Sequence, residues 1–146
     1  MIRTRLFQLI LATGLAAVPT AVLADTACPA AVTDAAKKAF AGATITKCVA
    51  EKSIFEVVMQ KADKTRVELD ISASGHIEQI EEVVPVASLP PAVTKAFAAK
   101  YAKASPLKAE KQTKADKSVT FEVAFKVGKG MKEATFKEDG TFVEEE

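Results

Sequence analysis

The sequence predicts an α+β fold made of two tandem helix-plus-antiparallel-strands repeats, with the helices packed on one face of an antiparallel sheet. Two observations lead to this prediction. A sequence pattern typical of the start of a helix occurs twice, as "PAAVTDAA" at 29–36 and as "PPAVTKAF" at 90–97. After each of these segments the apolar residues recur at every second position, which is typical of half-buried strands.

The first 24 residues have the features of a secretory signal peptide. Arg3 and Arg5 precede an apolar run from Leu6 to Val18, and Val22-Leu23-Ala24 fits a cleavage site after Ala24. The run is about 13 residues long, whereas a membrane span needs roughly 20, so a membrane anchor is the weaker alternative. We therefore expect a periplasmic or secreted protein, with a signal peptide at 1–24 and repeats at 25–84 and 85–146 that form one compact unit.

The charge of the chain is close to balanced. It contains 20 lysines and arginines and 19 aspartates and glutamates, and cleavage after Ala24 would remove two arginines and no acid. A nearly neutral chain is a poor candidate for general nucleic-acid binding. No later apolar stretch is long enough to cross a bilayer. We expect no nucleic-acid partner and no stable membrane insertion after the signal is removed.

Each predicted repeat begins with a helix whose apolar residues share one face. Proline suits the first turn of a helix, where its missing N–H is not needed. The apolar positions follow helical spacing in both segments. They are Val32, Ala35, Ala36, Ala39 and Phe40 in the first, and Val93, Ala96, Phe97 and Tyr101 in the second. Because many of these residues are alanines, the helices can approach a sheet closely.

Strands follow each helix, separated by short turns. Apolar and polar residues alternate at 55–60, at 67–71 and at 121–127. Ser74-Gly75 and Asp139-Gly140 are typical of hairpin turns. Each copy is therefore expected to contain about four antiparallel strands.

Cys28 and Cys48 are the two cysteines of the chain. An exported protein meets an oxidising compartment, so we predict one disulfide, with two separate buried thiols as the alternative. The spacing is not that of a C-x-x-C redox motif. At an offset of 61 residues the second copy has the apolar pair Leu89 and Ala109. A contact between helix start and first strand would serve both copies, which favours a structural role.

The second copy carries "LPPAVTKAFAAKY", "VTFEVAF" and "FKEDGTFVEEE" in that order, and the first copy matches this pattern more loosely. The pattern resembles the PepSY-like family of small exported bacterial proteins, whose fold is similar to that of beta-lactamase inhibitor proteins. The resemblance implies an antiparallel sheet backed by helices and no catalytic residues. PepSY domains are thought to inhibit or regulate peptidases, and this analogy suggests a non-enzymatic binding module that acts on another envelope protein.

The residues offer little for catalysis. His76 is the one histidine of the chain, and it lies beside the Gly75 turn. No nucleophile elbow, zinc-protease motif or phosphate loop is present. We therefore expect no enzyme activity and no cofactor, with an enzyme as the weakest alternative.

Carboxylates near the ends of the strands suggest an alternative function. Calcium prefers six to eight oxygen ligands, several of them carboxylates, and a lanthanide ion has similar needs. The candidate metal ligands are Glu78, Glu81, Glu82, Asp139, Glu144, Glu145 and Glu146. The competing interpretation is a solvated strand edge and an acidic tail.

Lysines are concentrated in the region that follows the second helix start. They are Lys95, Lys100, Lys103, Lys108, Lys111, Lys114 and Lys117. Their spacing predicts the outer face of the second helix and of the next strand. They could form a docking surface for an acidic partner, or simply be solvated lysines that deter aggregation at an edge strand.

Overall fold

The structure, a computed structural model, describes residues 28–146, so the predicted signal peptide lies outside the described residues. The elements in chain order are α1 (Ala30–Ala39), β1 (Thr44–Glu51), β2 (Ile54–Gln60), β3 (Arg66–Ser72), β4 (Ile77–Val84), a 3-10 helix (Val86–Ser88), α2 (Pro91–Lys100), β5 (Pro106–Lys114), β6 (Val119–Val127), β7 (Gly130–Lys137) and β8 (Phe142–Glu145). Within 28–146, neither helix has the length and apolar character that a membrane span requires.

All eight strands belong to one antiparallel sheet, in which they follow their order in the chain. The predicted α+β fold of two helix-plus-strand repeats is therefore wrong. The protein is mainly β, and its two α-helices have 10 residues each. The sheet is continuous because β4 pairs with β5 along a register that runs from Gln79↔Lys114 to Val84↔Ala109. Alternation in the sequence predicts which face a residue occupies but not which strand lies beside it.

Both helices lie on the same face of the sheet. In α1, Val32 and Ala36 are fully buried, and in α2 the same is true of Val93. Paired residues in neighbouring strands point to the same face, and one ladder runs Val67–Glu82–Lys111–Phe121 across the middle of the sheet. The helix side of the N-terminal half therefore continues into the helix side of the C-terminal half.

Two glycines allow hairpin turns to press against the helix starts. Gly75 and Gly140 have φ angles of 88° and 84°. A Cβ atom at Gly75 would lie 2.8 Å from the backbone oxygen of Ala31, and one at Gly140 would lie 2.6 Å from that of Ala92. Any side chain here would face both a strained backbone and a collision, so only glycine suits these turns.

The core has two parts. Under α1 it is mostly aliphatic, and it is formed by Val32, Ala36, Val57, Met59, Val67, Leu69 and Ile71. Under α2 it is more aromatic, and it is formed by Leu89, Val93, Phe97, Ala109, Phe121, Val123, Phe125, Ala134 and Phe136. Cys28 and Cys48 form a disulfide with their Cα atoms 5.9 Å apart, which ties the start of α1 to β1.

Candidate binding face

The side of the sheet opposite the two helices, here called the open face, carries polar residues. In β3, Glu68 and Asp70 alternate with the buried residues Val67, Leu69 and Ile71, so they point away from the helices. The register carries this face from strand to strand. One row across it contains Val58, Glu68, Glu81, Gln112 and Thr120.

Carboxylates dominate the open face. The register places the following acidic residues on it: Glu56, Glu68, Asp70, Glu81, Glu110, Glu122, Glu133 and Glu144. Three of them are nearly inaccessible, since Glu68 is 7% exposed and Asp70 and Glu81 are each 4% exposed. Burial of this kind is rare for carboxylates and requires polar partners. None of the described helices covers these residues.

Amide and hydroxyl groups hold the carboxylates in the middle of the open face. The Gln112 side chain accepts a hydrogen bond of 2.9 Å from the Thr120 hydroxyl and donates one of 3.0 Å to Glu122. In the neighbouring strand, the Gln79 amide donates a hydrogen bond of 2.6 Å to Glu81. Hydrogen bonds to charged acceptors are stronger than those between neutral groups, so this arrangement should be rigid.

Cations pair with several of these acids. Lys47 Nζ lies 2.7 Å from Glu56 Oε1, and Arg66 pairs with Glu68. Lys108 Nζ lies 2.8 Å from Glu110 Oε1. Every buried side-chain nitrogen or oxygen atom in the described part of the chain has a hydrogen-bond partner. The buried polar groups of the open face therefore follow the general rule that such groups are hydrogen-bonded.

A pocket of about 310 Å³ opens on this face. Its lining runs from β4 to β8, and it includes Glu78, Lys114, Thr135, Glu144 and Glu146. Side chains from five successive strands can line one pocket only if the sheet curves around it. The open face is therefore concave in the C-terminal half, and the pocket is lined mainly by polar groups.

Of the seven predicted metal ligands, the structure brings only Glu78, Glu144 and Glu146 to one pocket. Glu81 and Glu144 lie on the open face, whereas Glu82 and Glu145 lie on the helix side, where Glu82 binds Lys61 at 2.6 Å. Glu78 and Glu146 line the open-face pocket. Asp139 lies in the β7–β8 turn and accepts a hydrogen bond from the Thr141 N–H. Among residues 28–146, no group of three or more His, Cys, Asp or Glu side chains has a geometry that could hold a metal ion.

The predicted docking lysines are distributed over several surfaces. Lys95 and Lys100 belong to α2, and Lys103 lies in the loop after it. In β5, Lys108 and Lys114 point to the open face and Lys111 to the helix side, while Lys117 lies in the turn after β5. Moreover, β5 lies between β4 and β6, so it is not an edge strand.

A second cavity lies on the helix side, and His76 is part of its wall. This helix-side groove, about 480 Å³ in volume, runs between α1, the β3–β4 turn, β4 and the end of β5. His76 is exposed, and its backbone N–H donates to the Ser72 hydroxyl. Within residues 28–146, no hydrogen bond of the structure joins the imidazole ring of His76 to a nucleophilic side chain.

Tyr101 and Glu145 perturb each other's ionisation. Burial and the nearby Glu145 carboxylate raise the pKa of Tyr101. Hydrogen bonds from Lys132 and Tyr101 lower the pKa of Glu145. Three turn aspartates, Asp63, Asp116 and Asp139, have lowered pKa values because nearby hydroxyl and N–H groups donate hydrogen bonds to them.

Sequence reasoning missed the buried polar centre of the open face. Gln112, Thr120 and Thr135 are all nearly inaccessible. The alternation places these residues on the face opposite the apolar ones. It does not show that a polar residue on that face is buried. The available signal was the unusual number of amide and hydroxyl groups near the carboxylates of the central strands.

Solved structures with this fold are known in Bacteroides. A candidate periplasmic protein from Bacteroides eggerthii has a TM-score of 0.73 at 13% identity, over 82% of this chain and 88% of that one. A DUF2874 family protein from Bacteroides uniformis has a TM-score of 0.71 at 16% identity, over 81% of this chain and 88% of that one. A BLIP-like protein from Bacteroides fragilis has a TM-score of 0.66 at 25% identity, over 81% of this chain and 85% of that one.

No protein-family model matches the chain, and no curated protein matches it. The likeness to the Bacteroides structures therefore shows the fold, including its similarity to the BLIP-like protein. The more specific resemblance to the PepSY-like family, and the tandem repeat, stay predictions.

Proposed function

We propose that this protein is an exported, non-enzymatic binding module that recognises another envelope protein with the open face of its sheet. The observation that carries the proposal is the hydrogen-bonded array of buried carboxylates and amides on a concave face that no described helix covers. Buried polar groups that are held in place in advance lose little freedom when a partner binds, which favours affinity.

The charge of the open face indicates a basic partner. It carries acidic groups from β2 to β8, which outnumber its lysines and arginines, and Lys47, Arg66 and Lys108 are paired with acids of the same face. Electrostatic complementarity speeds association and rejects partners of like charge. Aromatic anchors, which are common at interface hot spots, are not part of the described open face, so we expect a partner that brings its own aromatic or arginine anchors.

In its more specific form, the proposal is that the protein regulates a partner such as a peptidase. Two lines support it: the resemblance of the sequence to the PepSY-like family, and the fold shared with a BLIP-like protein. The signal peptide predicted at 1–24 and the periplasmic location suggested for the Bacteroides eggerthii protein support a periplasmic or secreted location.

The experiment compares two charge-matched variants of the oxidised 25–146 protein. Glu78→Lys with Glu144→Lys changes two exposed residues that line the open-face pocket. Asp34→Lys with Glu138→Lys changes two exposed residues in α1 and in the β7–β8 turn. Each variant is immobilised and incubated with envelope extract of the source organism, with and without calcium. Bound proteins are identified and then purified for a direct affinity measurement.

We expect one stoichiometric partner. The control variant should retain it, and the open-face variant should lose about tenfold or more in affinity, because two carboxylates of the proposed interface change sign. Equal binding by both variants would contradict the use of the open face. Capture that requires calcium would instead favour the metal-binding alternative. The absence of any partner in either buffer would count against the binding module itself.

A further inference from the structure

The helix-side groove has the size of a small-molecule site. Its volume of about 480 Å³ lies within the roughly 300–1,000 Å³ that is usual for ligand pockets. The groove exists because α1 packs on β3, while α2 packs on the aromatic core of the C-terminal half. Between the helices, Ile80 of β4 remains only half-buried.

The floor of the groove is apolar. Ala35 and Ala39 of α1 form one wall, and Ile77 and Ile80 of β4 form the base. Alanines leave space that longer side chains would fill, and none of these four side chains offers a hydrogen-bonding group. Thr113, the partner of Ile80 across β4 and β5, is the polar side chain beside this floor. A hydrocarbon chain could lie against the four apolar side chains without breaking a hydrogen bond of theirs.

The rim of the groove is basic. Lys38, Lys117 and His76 line it, and no aspartate or glutamate of the described chain does so. Lys114 also borders the groove, although its position in β5 places its side chain on the open-face side of the sheet. Neither Lys38 nor Lys117 forms an ion pair with another residue in 28–146. Asp116 lies next to Lys117, but its carboxylate accepts hydrogen bonds of 2.8 and 2.6 Å from the backbone N–H and hydroxyl of Ser118.

We propose that the groove binds the anion of a single-chain fatty acid. The hydrocarbon chain would lie against the alanines of α1 and the isoleucines of β4, and the carboxylate would meet the lysine rim. The combination of an apolar floor with cations on one rim matches an amphiphile that has one anionic end. The volume suits one acyl chain rather than the two chains of a phospholipid. This binding site lies on the opposite side of the sheet from the open face, with Lys114 bordering both pockets. It does not depend on the function proposed for the open face.

The chain offers a matched control for the rim lysines. The sequence reads "KADKT" at 61–65 and "KADKS" at 114–118. In these two turns Lys64 and Lys117 have φ angles of 71° and 68°. Each donates its backbone N–H to the first lysine of its turn, at 3.0 and 2.9 Å. Lys37 and Lys38 likewise share the last turn of α1.

The test variant is therefore Lys38→Glu with Lys117→Glu, and the control is Lys37→Glu with Lys64→Glu. Both change the net charge equally, in the same helical turn and in the same type of hairpin turn. Laurate, below its micelle-forming concentration, is titrated into the oxidised 25–146 protein and its two variants and is followed by amide NMR. Dodecanol serves as the uncharged probe of equal chain length.

We expect laurate to shift the amide signals of Ala35 and Ile80. The test variant should bind laurate about tenfold more weakly or worse, because hydrogen bonds to charged groups are the strong ones. The control should stay within about twofold of the unmodified protein, since exposed surface charges contribute little. Dodecanol should bind more weakly than laurate.

Three outcomes would overturn the proposal: no laurate binding to the unmodified protein, equal weakening in the two variants, or dodecanol binding as tightly as laurate. Thermal melting of both variants beforehand establishes that they are folded. Laurate shifts confined to the open face would also contradict the groove as the site, whatever the affinity.

Discussion

The two halves of the sheet hold their helices by different chemistry. In the N-terminal half (α1 and β1–β4), a disulfide joins Cys28 before α1 to Cys48 in β1, above an aliphatic core. In the C-terminal half (α2 and β5–β8), contacts between aromatic rings form more of the core. The rings of Phe97 and Phe125 lie 5.1 Å apart at 81°, and those of Tyr101 and Phe125 lie 4.3 Å apart.

In the repeat predicted from the sequence, two packed apolar residues of the second copy occupy the positions of the disulfide in the first. Leu89 and Ala109 are the residues 61 positions after Cys28 and Cys48, and both are buried in the core under α2. A disulfide stabilises mainly by limiting the unfolded chain, whereas buried side chains stabilise by leaving water. The two halves should therefore respond differently to loss of a ring and to reduction.

The largest effect should follow from removing a ring of the C-terminal core. Phe136 is fully buried, with ring centroids 6.4 Å from Phe97 and 5.8 Å from Phe142. Phe136→Ala should lower the free energy of unfolding by about 3–5 kcal/mol through lost transfer energy and a cavity. Denaturant titration measures the change. The control is Ile71→Ala, at the position 65 residues earlier, which removes fewer atoms from the aliphatic core. A cost for Ile71→Ala equal to or above that for Phe136→Ala would contradict the greater role of the rings.

Removing the disulfide should have the next largest effect. Cys28→Ser with Cys48→Ser opens a loop with a sequence separation of 20. The chain-entropy model then gives a loss of roughly 3 kcal/mol in the free energy of unfolding. Amide hydrogen exchange should accelerate in α1 and β1, because local opening is limited by local contacts.

The matched comparison is Leu89→Ala, which removes the corresponding packing contact of the C-terminal half. It should accelerate exchange in α2 and β5 and leave α1 protected. If the serine variant accelerated exchange equally in both halves, the disulfide would not act locally, and the division of the core into two separately held parts would be wrong.

Much of the fold could be predicted from local patterns. The alternation placed Val57, Met59 and Leu69 on the buried side, and the structure has them fully buried. The join between the halves could not be predicted in this way. The pairing of Val84 with Ala109 is a contact between distant parts of the chain, and nothing in the period of either strand encodes its partner. The fold class was therefore wrong although the individual strands were found.

The candidate site was less predictable than the fold. Glu81 is visible in the sequence as an acid, but the alternation of β4 does not show that it is only 4% exposed. The role of Gln112 depends on its hydrogen bonds with Thr120 and Glu122, which lie on the neighbouring strand. The lysines were grouped because they are close in sequence, and the alternation of β5 then divided them between two faces. Burial of a polar residue is a property of the assembled sheet.

The smallest effect concerns an edge contact that only the C-terminal half possesses. The Tyr101 hydroxyl donates a hydrogen bond of 2.5 Å to Glu145 in β8. The corresponding residues of the N-terminal half are Phe40 and Ile80, 61 and 65 positions earlier, which cannot form this bond. Tyr101→Phe therefore removes this hydrogen bond, so that the C-terminal half lacks it as the N-terminal half does. Since Lys132 continues to pair with Glu145, we expect the pKa of Glu145 to rise only part of the way to its ordinary value.

Carboxyl NMR titration of the folded protein measures this rise, and Asp139 is the internal control because its lowered pKa depends on Thr141. The lowered pKa of Glu145 contributes stability above the unfolded-state value, ordinarily about 4.3, and that contribution is lost as the pH falls. The raised pKa of Tyr101 contributes stability below the unfolded-state value of about 10, and that contribution is lost as the pH rises. Tyr101→Phe should therefore reduce the loss of stability at both extremes. An unchanged Glu145 pKa in the variant would mean that Lys132 alone sets it, and the two halves would then differ at this edge in packing rather than in charge.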